Sequence, residues 1–457
     1  MSLPAWAVRL NSRFQPKDCG VGIVHIGPGA FHRAHQAVYT EDAMRASGGD
    51  WRIECVSMQS TAVADTLNAQ DGLYTLVTRG ETGTSFRQIE SIARVQAARR
   101  DVAPVRNALQ RPETRIVSLT ITEKGYQPTE RIMGLIADAL VFRFDHQIPP
   151  FSILSCDNLA ENGAVLRNAV LGALASVKPD YVELVSDQVT FPSTMVDRIT
   201  PATTQALIDE VAVKTGVHDK APVETEAFSQ WVIEDRFSCD RPDWEAAGAL
   251  LVSDVAPYEK MKLRMLNGAH SMLAYAGHLS GQKYVRDVMA DPHLARLVDS
   301  HMKAAAQTLD PIPAVDFSEY RSALLSRFRN PHLAHETYQI AMDGSQKLPQ
   351  RIFAPTLDAI ARGQDIAPFS FATAAWLYYL GGCRDDGSKY DLRDPREAEI
   401  VVLPTVPADR FDAMCGLDNL MPSNLASHEA YRTATVELLE SMSENGMMKT
   451  VRSLAQR

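Results

Sequence analysis

The sequence predicts an α/β domain built on a parallel sheet, followed by a mainly α-helical domain. β-rich apolar segments alternate with helical segments from residue 21 to about 195, and helical periodicity dominates from about 250 to 445. Nearly continuous apolar strands that alternate with helices are typical of a parallel sheet covered on both faces. A chain of 457 residues is also too long for one core. We therefore expect one domain over residues 1–250 and a second over residues 251–457.

The predicted elements of the first domain follow in chain order. Four segments predict buried parallel strands: "VGIVHIG" (21–27), "RIECVSM" (52–58), "IVSLTITE" (116–123) and "FSILSC" (151–156). A helix that ends at Gly48 follows the first strand, and "LYTLVTR" and "FRQIESIARV" predict an antiparallel pair. In the second domain "YEKMKLRMLNGAHSMLAYAGHL" predicts a helix to about residue 280, with Pro257 in its first turn.

Composition favours small-molecule chemistry over binding to nucleic acid or to a membrane. The net charge of -10 opposes sequence-independent binding to nucleic acid, which needs a basic face. The N-terminal segment lacks the apolar core of a signal peptide, and no stretch reaches the roughly 20 apolar residues that span a bilayer. We therefore expect a cytoplasmic protein. The six cysteines lack the spacing of metal ligands, so we expect neither disulfides nor a metal site.

The first strand ends in a glycine-rich turn that predicts a dinucleotide site. In "HIGPGAFHRAHQ", Gly27 would permit the tight turn, and Gly29 would let a phosphate approach the backbone at the start of a helix. His32 stands where G-x-G-x-x-G has its third glycine, so the match is partial, and a plain strand–helix turn is the alternative. The position after the first strand of an α/β domain favours a Rossmann-type cofactor site.

The end of the second strand leaves the choice of cofactor open. NAD enzymes often have Asp or Glu at this point, and NADP enzymes have a basic residue. Gln59 and Ser60 occupy the place here. We expect NAD, with NADP as the alternative.

Three polar residues interrupt the apolar helix near residue 265. Each residue of an α-helix turns by about 100° around the helix axis, so with Lys262 at zero, His270 falls at about 80° and Asn267 at about 140°. Lys262 and His270 are about 12 Å apart along that axis. One face then carries all three and predicts a cavity, because burying them unpaired would cost several kcal/mol. A lysine whose pKa is lowered by burial suits proton transfer during hydride transfer, and an amide suits binding of the oxygen. A helix that bridges two domains is the alternative.

Six motifs in register show that the chain resembles the mannitol dehydrogenase family of polyol-specific long-chain dehydrogenases. They are "IGPGAFHRAHQ", "TITEKGY", "SCDNLAENG", "FPSTMVDRITP", "FSQWVIEDRF" and Lys262-x4-Asn267-x2-His270. The resemblance runs from about residue 20 to beyond 400. It implies a metal-independent, NAD-linked oxidoreductase that acts on CH–OH groups. It also implies that Lys262 is the general acid/base, that Asn267 and Asn158 polarise the carbonyl, and that His270 contacts the substrate.

The resemblance implies further site residues, each with an ordinary structural alternative. Asp197 would hold a sugar hydroxyl or form an ion pair with Arg198, and Glu123 would conduct protons or be a surface carboxylate. Asn158 with Glu161 also fits a capping box, N-x-x-E. The segment after "TITEKGY" is shorter than is common in the family, which leaves access near Glu123 open. The cofactor contacts fall on Gly27, Gly29, Phe31, His32, Arg33, Gln59 and Ser60.

Residues 335–353, "HETYQIAMDGSQKLPQRIF", bear on the substrate. This segment resembles the fructuronate reductase (D-mannonate oxidoreductase) branch more than the mannitol 2-dehydrogenase branch. Lys347 and Arg351 offer cations for a carboxylate, and solvated surface charges are the alternative. We therefore expect a sugar-acid substrate and D-fructuronate/D-mannonate interconversion, then a polyol and mannitol/fructose interconversion, then a non-catalytic NAD-binding sensor. Family members are often monomeric.

Overall fold

The computed structural model describes residues 16–80, 83–313 and 315–454. The chain divides into an N-terminal unit that ends at Ala256 and a C-terminal unit that begins at Pro257. Within the described ranges, none of the helices has both the length and the apolar character needed to cross a membrane.

The N-terminal unit contains both strands and helices. Its strands are β1 Val21–Ile26, β2 Arg52–Ser57, β3 Tyr74–Gly80, β4 Gly83–Ile89, β5 Ile92–Ala97, β6 Ile116–Leu119, β7 Ser152–Ser155, β8 Thr194–Asp197, β9 Val223–Glu226, β10 Gln230–Glu234 and β11 Leu250–Val252. Its helices are α1 Ala30–Ala34, α2 Gln36–Ser47, α3 Ala62–Asn68, α4 Ala103–Gln110, α5 Arg131–Asp145, α6 Asn162–Val177, α7 Val182–Gln188 and α8 Gln205–Thr215.

A five-stranded parallel sheet forms the centre of this unit, in the order β5-β2-β1-β6-β7. Every residue of β6 and β7 is buried, as expected for strands covered on both faces. One face packs against α4, α5 and α6, and the other against α2, α3, Trp231 and Trp244. The smaller sheets are β4-β3-β9 and β11-β10-β8. The predicted Rossmann-type sheet is confirmed, with the strand order reversing at β1.

The predicted antiparallel pair of "LYTLVTR" and "FRQIESIARV" is confirmed for the first half of the second segment only, because the structure divides residues 86–95 between two strands. The first part belongs to β4, which pairs antiparallel with β3, and the second belongs to β5, which joins the parallel sheet beside β2. The carboxylate of Glu41 accepts the backbone N–H groups of Glu90 at 2.5 Å and Ser91 at 3.2 Å. These two hydrogen bonds hold the turn that separates the strands.

The C-terminal unit is mainly helical, as predicted. Its helices are α9 Ala256–Met261, α10 Gly268–Leu279, α11 Val285–Ala290, α12 Pro292–Gln307, α13 Phe317–Arg329, α14 Thr337–Ala341, α15 Gly344–Leu348, α16 Ala354–Ala361, α17 Ala367–Tyr379, α18 Glu397–Ile400, α19 Pro407–Cys415, α20 Ser423–Ala426, α21 Glu429–Asn445 and α22 Met447–Leu454. Every residue of α10 is buried, and this helix packs against α11, α12, α14 and α17.

The helix predicted to run from Pro257 to about residue 280 is present but is not regular. A π-helix over Lys262–Asn267 joins α9 to α10. The N–H of Gly268 donates to the carbonyl of Leu263, five residues back instead of the four of an α-helix. We call this segment the first π-helix.

A second π-helix, Pro349–Phe353, joins α15 to α16. Pro355 favours this irregularity, because it has no N–H to pair with the carbonyl of Arg351 four residues back. The N–H of Ala354 instead donates to the carbonyl of Pro349, five residues back. The two π-helices meet at Gly268, where an added Cβ would lie 3.0 Å from the carbonyl oxygen of Arg351.

Candidate active site

The turn after β1 requires its two glycines for different reasons. Gly27 has φ +98°, and an added Cβ would overlap the carbonyl oxygen of Thr120. Its N–H donates to Val56 at 2.9 Å, and its carbonyl accepts from the Thr120 hydroxyl at 2.6 Å. Gly29 has an ordinary φ, but an added Cβ there would meet only the carbonyl oxygen of Gly27, at 3.9 Å. The space beside Gly29 is therefore open, and it suits a phosphate.

A cleft of about 760 Å³ opens at the carboxyl ends of β1, β2 and β6. Ligands of doubly wound sheets bind at the point where the strand order reverses. Five of the predicted cofactor residues line the cleft, namely Gly27, Gly29, Arg33, Gln59 and Ser60. The size and place of the cleft fit a dinucleotide.

His32 lies beneath the turn and is not among the residues that line the cleft. Its ring stacks on His25 of β1, with centroids 3.4 Å apart and planes 11° apart, and its Nε2 lies 3.7 Å from Cys55 Sγ. Burial lowers the pKa of His25 to about 3 and holds the pKa of His32 well below its usual value, so both rings are neutral. His32 thus makes the helix–strand contact that the third glycine makes in a complete motif.

Phe31 and Arg33 have different surroundings although both belong to α1. Phe31 stacks on His35 at 5.0 Å, where the predicted single helix breaks into α1 and α2. Arg33 lines the cleft, and one guanidinium nitrogen donates to the carbonyl of Ala221 at 2.5 Å. Burial lowers its pKa, and no carboxylate among the described residues lies within ion-pair distance of it. A buried cation without an acid suits the pyrophosphate of a dinucleotide.

Asp157 fixes the loop that carries Glu123. Its carboxylate accepts the N–H of Ile121 at 2.7 Å, the N–H of Thr122 at 3.2 Å and the hydroxyl of Tyr126 at 2.6 Å. Glu123 begins the next turn and is exposed. The family resemblance pointed to the neighbouring Asn158 in "SCDN", and Asp157 was not predicted, although it lies directly after the predicted strand 151–156.

The predicted capping box of Asn158 is wrong, because α6 begins four residues later. Its N-cap is Glu161, which has φ +50° and makes no side-chain capping hydrogen bond. The buried amide of Asn162 donates to the carbonyls of Ser155 at 3.2 Å and Thr194 at 2.8 Å, and accepts the N–H of Thr194 at 2.9 Å. Asn162, which was not predicted as a positioning residue, therefore joins the loop after β7 to the start of β8.

Asp197 and Arg198 lie at the end of β8. Asp197 is buried. The guanidinium of Arg198 donates to the carbonyl oxygens of Ala34 and Glu226, and burial lowers its pKa. Its donors are thus used by the backbone, and Arg198 joins the end of β8 to α1.

The first π-helix changes the relation of the three polar residues in the C-terminal unit. Lys262 and Asn267 are its first and last residues, and an i to i+5 repeat places them about one turn apart on one side. The extra residue of this turn rotates His270 by about 100°, from the predicted 80° to about −20°, almost in line with Lys262. The side chains of Lys262 and His270 are buried. The half-buried amide of Asn267 has no hydrogen-bond partner among the described residues.

Arg264 holds the first π-helix against its neighbours. Its guanidinium donates to the carbonyl of Thr308 at 3.0 Å and to its hydroxyl at 2.8 Å. The other nitrogen donates to the carboxylate of Asp358 at 2.6 Å. This buried arginine was not predicted as a positioning residue, because its partners lie 44 and 94 residues away in the chain.

His270 contacts two rings and lies within electrostatic range of two arginines. Its ring stacks on Phe328 at 4.3 Å and meets His335 edge-on at 5.3 Å. Burial is the main cause that holds the pKa of His270 well below its usual value, and His335, Arg327 and Arg351 lower this pKa further. The ring is therefore neutral, and its buried Nε2 has no hydrogen-bond partner within the described residues.

Lys347 and Arg351 differ in what binds their charges. The ammonium of Lys347 donates to the carbonyls of Ile340 at 3.3 Å and Met342 at 2.5 Å, and lies 3.7 Å from Asp343. Arg351 donates to the hydroxyl of Ser271 at 3.2 Å. In the part of the chain that the structure describes, no carboxylate lies within ion-pair distance of Arg351. Arg351 can therefore take an anion, whereas Lys347 supports the turn before α15.

Comparison with known families assigns both units. Residues 21–246 match the family described as mannitol dehydrogenase Rossmann domain, and residues 254–429 match the mannitol dehydrogenase C-terminal domain. The chain belongs to the mannitol dehydrogenase family. The predicted oxidoreductase class is thereby confirmed, and NAD-linked chemistry at CH–OH groups is confirmed at the level of the family.

Similar members of the mannitol dehydrogenase family differ in their named substrates. A D-mannonate oxidoreductase of Escherichia coli is 37% identical, over 99% of this chain and 97% of that protein. A mannitol 2-dehydrogenase of Aspergillus fumigatus is 35% identical, over 94% of this chain and 92% of that protein. The solved structure of Pseudomonas fluorescens mannitol 2-dehydrogenase with NAD and D-mannitol is 34% identical, with a TM-score of 0.85 over 97% of this chain and 96% of that one.

Proposed function

We propose that this family member is an NAD-linked oxidoreductase that interconverts D-fructuronate and D-mannonate. The observation that carries the proposal is Arg351, a cation with no carboxylate partner among the described residues, beside Ser271 and close to His270. Arg351 is partly buried. A cation that is partly removed from water and has no counter-charge favours an anionic ligand, and a sugar acid supplies a carboxylate that a guanidinium binds with two hydrogen bonds. A hexitol offers only neutral hydroxyls. The likeness to a D-mannonate oxidoreductase supports the same choice.

The cleft of the N-terminal unit holds the cofactor in this proposal. The pyrophosphate binds at Gly27, Gly29 and Arg33, and the adenosine ribose binds at Gln59 and Ser60. When bound, NADH supplies the hydride for reduction, and NAD accepts it in oxidation. The chain contributes binding, orientation and the handling of the proton.

The first π-helix provides the proton-transfer groups. Lys262 gives a proton to the carbonyl oxygen in reduction and takes it from the hydroxyl in oxidation. Asn267 donates a hydrogen bond to that oxygen, and the neutral ring of His270 binds a substrate hydroxyl. The carbonyl-polarising role of Asn158 rests on the family resemblance. Asp197 and Glu123 stay in the proposal as a hydroxyl ligand and a proton conductor, whereas the donors of Arg198 and Lys347 are used by backbone carbonyls.

The test of the substrate follows NADH absorbance at 340 nm with a matched panel. D-Fructuronate and D-fructose are offered with NADH, and D-mannonate, D-mannitol and D-arabinitol are offered with NAD. We expect turnover with the sugar acids. Turnover with the neutral sugars and polyols alone would refute the proposal and favour the second candidate, mannitol/fructose interconversion, which the likeness to mannitol 2-dehydrogenases supports. No turnover despite measurable NADH binding would indicate a sensor.

Two variants test the assigned roles. Arg351→Ala should raise the KM for D-fructuronate by on the order of tenfold to a hundredfold, the equivalent of one charge-assisted contact. The same change should leave the Kd for NADH unaltered. Lys262→Ala should abolish turnover with every substrate while NADH affinity stays nearly unchanged. An active Lys262→Ala enzyme would contradict its role as the acid/base.

A further inference from the structure

One end of the cofactor cleft lacks the acidic residue that selects NAD. Beyond Ser57, the last residue of β2, Gln59 and Ser60 line the cleft where NAD-selective Rossmann domains often have Asp or Glu. Hydrogen bonds within the turn stabilise it, and in one of them the Ser57 hydroxyl donates to the Ser60 carbonyl at 2.5 Å. The Ser60 hydroxyl accepts the N–H of Ala62 at 3.1 Å. Both Gln59 and Ser60 are exposed to the cleft and to solvent.

Arg99 brings a positive charge to the same end. It follows β5, the neighbour of β2, and the N–H of Ala98 donates to the Ser57 carbonyl at 2.9 Å. Arg99 lines the cleft and is exposed, with no hydrogen bond or ion pair to any described residue. The next residue, Arg100, is different, since both of its terminal nitrogens bind Asp65, at 2.9 and 3.0 Å.

The carboxylate that lines the cleft does not lie at the end formed by Gln59 and Ser60. Among the described lining residues it is Glu130, which precedes α5. This segment follows β6, on the opposite side of β1 from β2 and β5. A negative group near Gln59 would therefore meet a cation and two polar side chains and no lining carboxylate.

We propose that this end of the cleft binds the 2′-phosphate of NADP(H), so that the chain accepts NADP(H) as well as NAD(H). Arg99 is the cationic contact, and Gln59 and Ser60 provide hydrogen bonds. An acid after β2 binds the ribose hydroxyls of NAD and repels a phosphate, and here the acid is absent and an arginine is present. The inference rests on the proposed function only in taking the cleft as the dinucleotide site.

The first test is a binding titration of the full-length chain without any sugar. NADPH and NADH are added in turn, and their fluorescence on binding is followed at two salt concentrations. We expect the two Kd values to agree within about tenfold, with NADPH more sensitive to salt because it makes an additional contact between charges. Normal NADH binding with NADPH weaker by a hundredfold or more would overturn the inference.

Three variants distinguish a specific contact between Arg99 and the 2′-phosphate from the general effect of removing one positive charge. Arg99→Ala should weaken NADPH by on the order of tenfold and leave NADH within about twofold. Arg106→Ala is the matched control, because Arg106 is exposed on α4, outside the lining residues, and loses the same charge. Gln59→Asp should weaken NADPH and retain NADH. Equal effects of Arg99→Ala and Arg106→Ala would overturn the assignment of Arg99, whereas failure of the sugar-acid proposal would leave these titrations unchanged.

Discussion

Replacing Gly268 with alanine tests whether close backbone contact holds the two π-helices in place. The added Cβ would lie 3.0 Å from the carbonyl oxygen of Arg351 and 3.1 Å from Nε2 of His301. Both distances are shorter than ordinary contacts, which begin at about 3.5 Å. One of the π-helices must therefore move by a few tenths of an ångström. Such a movement would displace Arg351 relative to His270.

Two opposing effects set the expected change in stability. Alanine is favoured over glycine inside a helix by about 1 kcal/mol. Overpacking a tightly packed core costs about 1–3 kcal/mol. We expect Gly268→Ala to lower the free energy of unfolding by about 1 kcal/mol on balance. Gly134→Ala in α5 is the matched control, because no atom lies within 4 Å of its added Cβ and only the helical gain remains.

The assay combines thermal unfolding, followed by circular dichroism, with steady-state kinetics on D-fructuronate. Gly134→Ala should raise the Tm and leave kcat unchanged. Gly268→Ala should lower both the Tm and kcat, because the groups on the two π-helices lose their register. If Gly268→Ala raised the Tm as much as its control and kept full kcat, the contact would not constrain the π-helices.

Two further predictions concern buried polar side chains. Burial lowers the pKa of His25 from 6.5 to about 3 and that of His301 to about 4, so the folded chain binds fewer protons than the unfolded chain. Their contribution to stability is complete above pH 6.5 and is lost as the pH falls toward 4, by about 2 kcal/mol for each at pH 5. Equal urea midpoints at pH 5 and pH 8 would contradict this. Asn162→Leu should cost about 2–4 kcal/mol, because it leaves backbone groups around β7 and β8 unpaired. Asn168→Leu, exposed on the same helix, is its control, and similar Tm losses would argue against the prediction.

The parallel sheet and the glycine turn could be predicted because their signals are local. β1 was expected over 21–27 and forms over 21–26, since its apolar run is bounded by a glycine that only a turn explains. The same reasoning found Lys262, Asn267 and His270 as unusual residues in an apolar helix. The break at His35 was missed because the apolar pattern continues across it, and only its φ of −121° and ψ of −94° reveal the interruption.

Other features depend on partners that are distant in the chain. Arg99 was not considered for the cofactor site, since it reaches the cleft from β5 and not from β2. Asn158 fitted a capping box by spacing, but the chain delays the helix until Asn162, which pairs with β8. The two π-helices were not predicted, because their residues are also compatible with an α-helix. Pro355 is a local sign of an irregular helix, and it marks only the second π-helix.

The first π-helix also limits where residues can be deleted from this chain. Deleting one residue between Lys262 and Asn267 would restore regular α-helical hydrogen bonds through α9 and α10. In terms of backbone hydrogen bonding alone, the shortened helix would be more regular than the present one. The deletion would turn every later residue of α10 by about 100°, which moves the buried side chains of this central helix onto different neighbours. A single deletion in this segment would therefore disturb more of the core than a conservative substitution would, and the spacing of the segment is as informative as its residues.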